Sequence, residues 1–193
     1  MNSTFMKMLV RSIARFSLAV ALLAWGMSAA SCVPIRNLYR AMSFSFVYPE
    51  GWKKVHREMS PPFGMKAKSK PYFIAFDCPE ADPDSGEAVA SLSFYVVKLT
   101  QQIWLEDEFP SIAETFTMSG YEVLDRGEIM IDEQISKWLV YRDTEHNRIN
   151  LEFYVINDNN ILFRIQYSAK QDKFALYRPA FETARNTMKL SKW

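Results

Sequence analysis

The stretch INLEFYVINDNNILFRIQY, residues 149–167, decides the fold class. Ile149, Leu151, Phe153 and Val155 alternate with Asn150, Glu152 and Tyr154. Ile161, Phe163, Ile165 and Tyr167 alternate with Leu162, Arg164 and Gln166. A period of two, rich in β-branched and aromatic residues, predicts strands. Asp158-Asn159-Asn160 between the two runs predicts a short hairpin loop, because Asn tolerates left-handed backbone. Working outward, Asp143 to Arg148 joins this hairpin to a further strand at Trp138–Arg142. Leu92, Phe94 and Val96 alternate with Ser93 and Tyr95, and Tyr72, Ile74, Phe76 and Cys78 share one face. Phe44, Phe46 and Tyr48 form a first strand, halted by the turn Pro49-Glu50-Gly51.

Two segments carry helical spacing. Leu105, Phe109, Ile112 and Phe116 fall at i, i+4, i+7 and i+11, with Gly120 placed to end the helix; Tyr177, Phe181, Ala184 and Met188 repeat the pattern. Pro110 and Pro179 predict that each regular helix begins near its proline, which fits only a first turn. Antiparallel strands with helices at intervals predict an α+β fold, the helices hiding the apolar face of the sheet.

The 193 residues fit one domain, and 49% hydrophobic content excludes a disordered chain. With 23 Lys plus Arg against 22 Asp plus Glu, nothing in the charge balance argues for nucleic acid. Two Cys and two His make neither a disulfide scaffold nor, alone, a zinc site.

Residues 1–31 read as an address. Lys7, Arg11 and Arg15 precede the apolar run Phe16–Met27, followed by Ser28, Ala29, Ala30, Ser31 and Cys32. This order resembles a bacterial lipoprotein signal, with Ala29 where Leu is usual, and predicts a lipid on Cys32. Ordinary cleavage after Ala30 and an uncleaved anchor are the other two readings. All three put the remainder outside the cytoplasm, in the cell envelope on the extracytoplasmic side, with the periplasm as the expected compartment. Residues 32–41 read as a tether. As flexible chain, 33–41 spans ~16 Å, which would hold the domain close to its membrane. Residues 42–193 then form a single domain.

The order of pieces resembles PsbP-like domains. Phe44-Ser-Phe-Val-Tyr48-Pro-Glu-Gly-Trp52 is similar to their opening, Leu151–Tyr167 to their paired central strands, and Phe181–Met188 to their final helix, with Thr187-Met188 where a Ser-Phe pair is usual. The resemblance implies an antiparallel sheet flanked by helices on both sides. It implies binding or assembly rather than catalysis, relatives of this kind including a photosystem subunit, envelope lipoproteins and secretion chaperones. No functional residue carries over from it.

Candidate chemistry is sparse. Cys78 shares an apolar strand face and predicts a buried, inert thiol, or a disulfide to Cys32 if that residue is unlipidated. His56 and His146 lie in polar surroundings that predict exposed side chains. Glu80, Asp82, Asp84 and Glu87 suggest calcium but fail the EF-hand register, leaving a solvated loop as the plainer reading. Lys53, Lys54, Arg57, Lys66, Lys68 and Lys70 oppose only Glu58, with Met59, Phe63 and Met65 among them. This basic loop suits an anionic surface, or folds Phe63 back on the core. No nucleophile–base pair, phosphate loop or metal motif stands out, so no catalytic, cofactor or metal residue is expected. The leading expectation is a non-catalytic, lipid-anchored envelope protein that binds or helps assemble a protein partner; a small-ligand or metal-binding module is the alternative, and an enzyme comes third.

Overall fold

A computed structural model describes residues 38–41, 44–59 and 66–190. The expected signal segment, Cys32, most of the tether, Phe63 and Met65 lie outside them. The elements, in chain order, are β1 (Leu38–Arg40), β2 (Phe44–Val47), β3 (Lys53–Val55), β4 (Tyr72–Asp77), β5 (Ala90–Lys98), α1 (Leu105–Met118), β6 (Glu122–Ile131), β7 (Gln134–Asp143), β8 (Arg148–Ile156), β9 (Ile161–Lys170), α2 (Phe174–Asn186) and β10 (Lys189–Leu190). The fold is α+β, with two sheets and two helices among the described residues. No helix there is long and apolar enough to cross a membrane.

The larger sheet has the order β3-β4-β5-β9-β8-β7-β6, and every pairing is antiparallel. Phe153 lies opposite Ile165 in the central β8–β9 pair. The loop between them is pinned by Asn157, whose Oδ1 accepts from the backbone of Asn159 and Ile161 at 3.1 and 3.0 Å, while Asn160 adopts φ +58°. Asn147 at φ +50° turns the β7–β8 hairpin, where Asp143 accepts the His146 amide at 3.1 Å.

Three expectations are corrected. Leu38–Arg40, assigned to the tether, form β1 and pair with β2, since Tyr39 finds an aromatic site against Phe44, Phe46 and Phe76. Phe44–Val47 leaves the main sheet and builds a separate one, β1-β2-β10. Both helices start several residues before their prolines, α1 at Leu105 ahead of Pro110 and α2 at Phe174 ahead of Pro179. Each proline deletes one backbone hydrogen bond in the helix interior, and burial of an apolar face opposes that loss.

Alternation sorts the strand residues into two cores. Phe94 and Val96 join Phe153, Phe163, Ile165 and Tyr167, with Phe44 and Phe46 of β2 and Phe181 and Ala184 of α2. Tyr95 and Val97 join Tyr154, Leu162, Leu139 and Tyr141, with Leu105, Phe109, Ile112 and Phe116 of α1. β5 is buried along both faces up to Lys98.

Candidate functional site

The residues that the sequence nominates fall mostly at one end of the larger sheet, and there they pair off. Cys78 is 6% exposed; the Ala90 amide donates to its Sγ at 3.3 Å, and the thiol faces the Glu80 carbonyl at 3.2 Å. The acidic loop is exposed over Pro83–Glu87, as a solvated loop is, while Glu80 and Asp82 are tied down. Asp82 accepts the Asp84 and Ser85 amides at 3.0 Å each and meets Lys170 at 2.9 Å. The Ser85 amide and Lys170 hold its carboxyl well below the usual carboxylate range. Glu80 meets Lys173 at 2.6 Å and accepts the Tyr177 hydroxyl at 2.7 Å, so its carboxyl is also lowered. Asp77 accepts from Arg57 at 3.0 Å. These carboxylates each turn to a different cation. Among the described residues no group of three or more His, Cys, Asp or Glu could hold a metal ion. His146 is exposed beside Asp143 at 2.8 Å, whose hydrogen bond raises the imidazole pKa.

A second polar group lies between the sheet and α1. Glu152 is 0% exposed. Arg164 grips it in a fork, Nε and a terminal nitrogen each 2.7 Å from one carboxylate oxygen. The Tyr141 hydroxyl donates at 2.8 Å, Tyr154 at 2.5 Å and Gln166 at 3.1 Å. Burial pushes the Glu152 pKa up, but Arg164 and the hydroxyls outweigh it and leave it below the ordinary value. Burial and the same carboxylate push both tyrosines up. The partners of Glu152 come from β7, β8 and β9, so the group acts as a structural lock across three strands.

The opposite end of the sheet is less paired. Lys66, Lys68, Lys70 and Lys98 are exposed there. The Lys68 amide donates to the Lys98 carbonyl at 2.7 Å, bringing the two basic stretches side by side. Tyr39 of β1 lies at the same corner: its ring sits 5.3 Å beneath the Lys54 ammonium, and its hydroxyl bonds to that of Tyr72. β1 runs towards this end, from Leu38 opposite Val47 to Arg40 opposite Ser45, while Phe44 lies against Tyr72. An open cleft of about 490 Å³ lies here, lined by Lys54, His56, Lys70 and Tyr72 among others.

Past Gln101, whose carbonyl accepts from the Asn160 amide at 2.6 Å, comes a larger cleft of about 710 Å³. Trp104, 63% exposed, and Ile135, 52% exposed, supply its apolar surface. Glu106, Glu133 and Asp158 supply charge, each from a different element.

No protein-family model matches the sequence, and no curated protein matches it. Solved structures do. The cyanobacterial PsbP (CyanoP) of Synechocystis covers 86% of this chain and 99% of its own length, with 17% identity and a TM-score of 0.55. The fold is PsbP-like. LpqN of Mycobacterium tuberculosis, described as involved in cell envelope biogenesis, covers 77% of this chain and 83% of its own, at 11% identity and a TM-score of 0.59. A Pseudomonas aeruginosa protein of unknown function covers 81% and 97%, at 14% identity and 0.55.

In this PsbP-like domain, sequence reading brought forward Cys78, the acidic loop and the lysines, but not Glu152, Arg164 or Trp104. Glu152 and Arg164 were readable only as polar members of alternating strands; nothing local signals that α1 covers them. Trp104 had one usable signal. It sits directly before the first apolar position of a helix, between Ile103 and Leu105, which are both buried.

Proposed function

We propose that this PsbP-like domain is a non-catalytic, lipid-anchored component of the cell envelope that binds or helps assemble another protein. In this reading it works as a layered sandwich, with α1 over one face of the larger sheet and α2 with the small sheet over the other. Carrying the proposal is the group of exposed lysines 66, 68, 70 and 98 at one end of the larger sheet, where the Lys68 amide bonds to the Lys98 carbonyl. A lipid on Cys32 lies six residues before Leu38, a reach of at most ~20 Å. Near an anionic surface each Lys contributes about 1 kcal/mol, decaying over a Debye length of ~8 Å. Three or four lysines facing lipid orient the domain. Likeness to LpqN in fold favours the envelope, and the pairing of buried ionisable groups with one another favours a role without catalysis.

Metabolic labelling with a clickable fatty acid tests the anchor: wild type takes label and Cys32→Ala does not, while equal label in both refutes it. Orientation is read separately, with a nitroxide on Lys68→Cys in the acylated full chain on vesicles of phosphatidylcholine and phosphatidylglycerol. A lipid-borne relaxation agent broadens its signal at low salt and not at high salt. A signal indifferent to salt refutes the orientation.

A further inference from the structure

We infer that the Trp104 cleft is the docking site for a partner-protein segment that carries an apolar side chain between lysines or arginines. The inference rests on the protein-binding reading above and names its site. Trp104 is held out to solvent by fixed backbone. Its φ and ψ are extended at −94° and 119°, and its carbonyl accepts the Asp107 and Glu108 amides at 3.1 and 3.3 Å as α1 begins. Ile103 and Leu105 on either side are buried at 9% and 6% exposure. Little conformational entropy therefore remains for a partner to remove from that backbone, and Trp is among the residue types enriched at the centre of binding interfaces.

Ile135 extends the apolar surface, and Met130, its register partner on β6, continues it at 58% exposure. Charge selects the occupant. Glu106 comes from the first turn of α1, Glu133 from the β6–β7 turn and Asp158 from the β8–β9 loop. Two separate elements thus place the exposed carboxylates of Glu106 and Asp158 at one cleft, while the β6–β7 turn carries its own cation, Lys189, which meets Asp132 at 2.8 Å. The turn that carries Glu133 is tied to β10: Asp132 and Glu133 hold φ of +47° and +67°, and Asp132 accepts the Leu190 amide at 2.7 Å and the Lys189 ammonium at 2.8 Å. A volume of about 710 Å³ suits one or two side chains of a segment lying across the surface. An anionic segment is repelled here, and a purely apolar one gains nothing from the rim.

The probe is a fluorescein-labelled, acetylated pentapeptide of alternating lysine and leucine, with a glutamate-leucine counterpart, titrated against the purified full chain in detergent. Fluorescence anisotropy should rise with the lysine peptide and not with the glutamate peptide. Trp104→Ala should weaken binding at least about thirtyfold, the level of a central anchor. Glu106→Lys with Asp158→Lys should abolish it, and salt should weaken it in wild type. Trp104 is too exposed for its loss to unfold the domain, and an unchanged urea midpoint confirms this. Equal binding of both peptides, or of the lysine peptide to wild type and Trp104→Ala, overturns the inference. So does self-association that Trp104→Ala abolishes, which makes a second copy the occupant. These outcomes do not depend on Cys32 labelling, so failure of the cleft and failure of the anchor are read apart.

Discussion

Arg164→Met is the sharpest perturbation of this structure. Arg164 supplies two charge-assisted hydrogen bonds at 2.7 Å to a carboxylate that is 0% exposed. Without it, Glu152 keeps only neutral donors from Tyr141, Tyr154 and Gln166. Breaking a buried pair from one side costs about 3–5 kcal/mol, because a charge stays buried without its partner. For a domain of this size that lowers the melting temperature by roughly 6–20 °C. The sign with pH follows from the two states of Glu152. In wild type its folded pKa is depressed, so its contribution is present above the unfolded carboxylate value and is lost as pH falls through the folded one. Without Arg164 burial dominates and the folded pKa rises above the unfolded value. The variant then regains stability relative to wild type as pH falls from 7.5 towards 5. Urea unfolding followed by tryptophan fluorescence at both pH values measures this. Glu152→Gln combined with Arg164→Met should recover at least half the loss, because the neutral amide accepts one tyrosine hydroxyl at its oxygen and donates from its nitrogen to the oxygen of the other. A single-variant loss below about 1 kcal/mol at pH 7.5, or one independent of pH, would refute the lock.

Other outcomes are simpler. Cys78→Ala should cost on the order of 1 kcal/mol by leaving the Ala90 amide without its sulfur acceptor, and a bulky maleimide should reach Cys78 only in proportion to unfolding by urea. Gly127→Ala should cost about 1–3 kcal/mol in the same assay, since its Cβ would lie 2.8 Å from Cζ2 of Trp138 across the β6–β7 pair. His146 should titrate above the ordinary histidine value by NMR and return towards it in Asp143→Asn. That contact contributes below the unfolded histidine pKa and fades as pH rises through the folded one.

The fold was legible where one chemical rule governs a segment. The central hairpin at 149–167 alternates cleanly, and Asn157 and Asn160 provide the turn geometry that it needs. β6 was illegible because it is an edge strand. Its outer residues face water, Glu122, Asp125, Arg126 and Glu128 interrupt the period, and a bulge between Val123 and Asp125 shifts it by one. Edge strands use such charges and bulges against unwanted pairing, which erases the pattern that reveals buried strands. The β6–β7 turn was hidden for a related reason: it uses Asp132-Glu133 in left-handed conformation with no glycine to announce it.

The site illustrates a different limit. Counting charge along the chain sets the basic run Lys53–Lys70 beside the acidic loop Glu80–Glu87, and the structure thins both. Arg57 turns to Asp77 and Lys54 stacks on Tyr39, while Glu80 and Asp82 find Lys173 and Lys170, which lie some ninety residues further along the sequence. At the far end of the sheet the basic group is 66, 68, 70 and 98, and its last member belongs to the end of β5. Local charge density marks only an upper bound on a surface field, because antiparallel topology brings distant counter-ions to the same end of the sheet. The same topology gathers Glu106, Glu133 and Asp158 from sequence positions that share no motif. A cleft built in this way is invisible to a linear search and follows directly from the β6–β7 and β8–β9 turns meeting the start of α1 at one end.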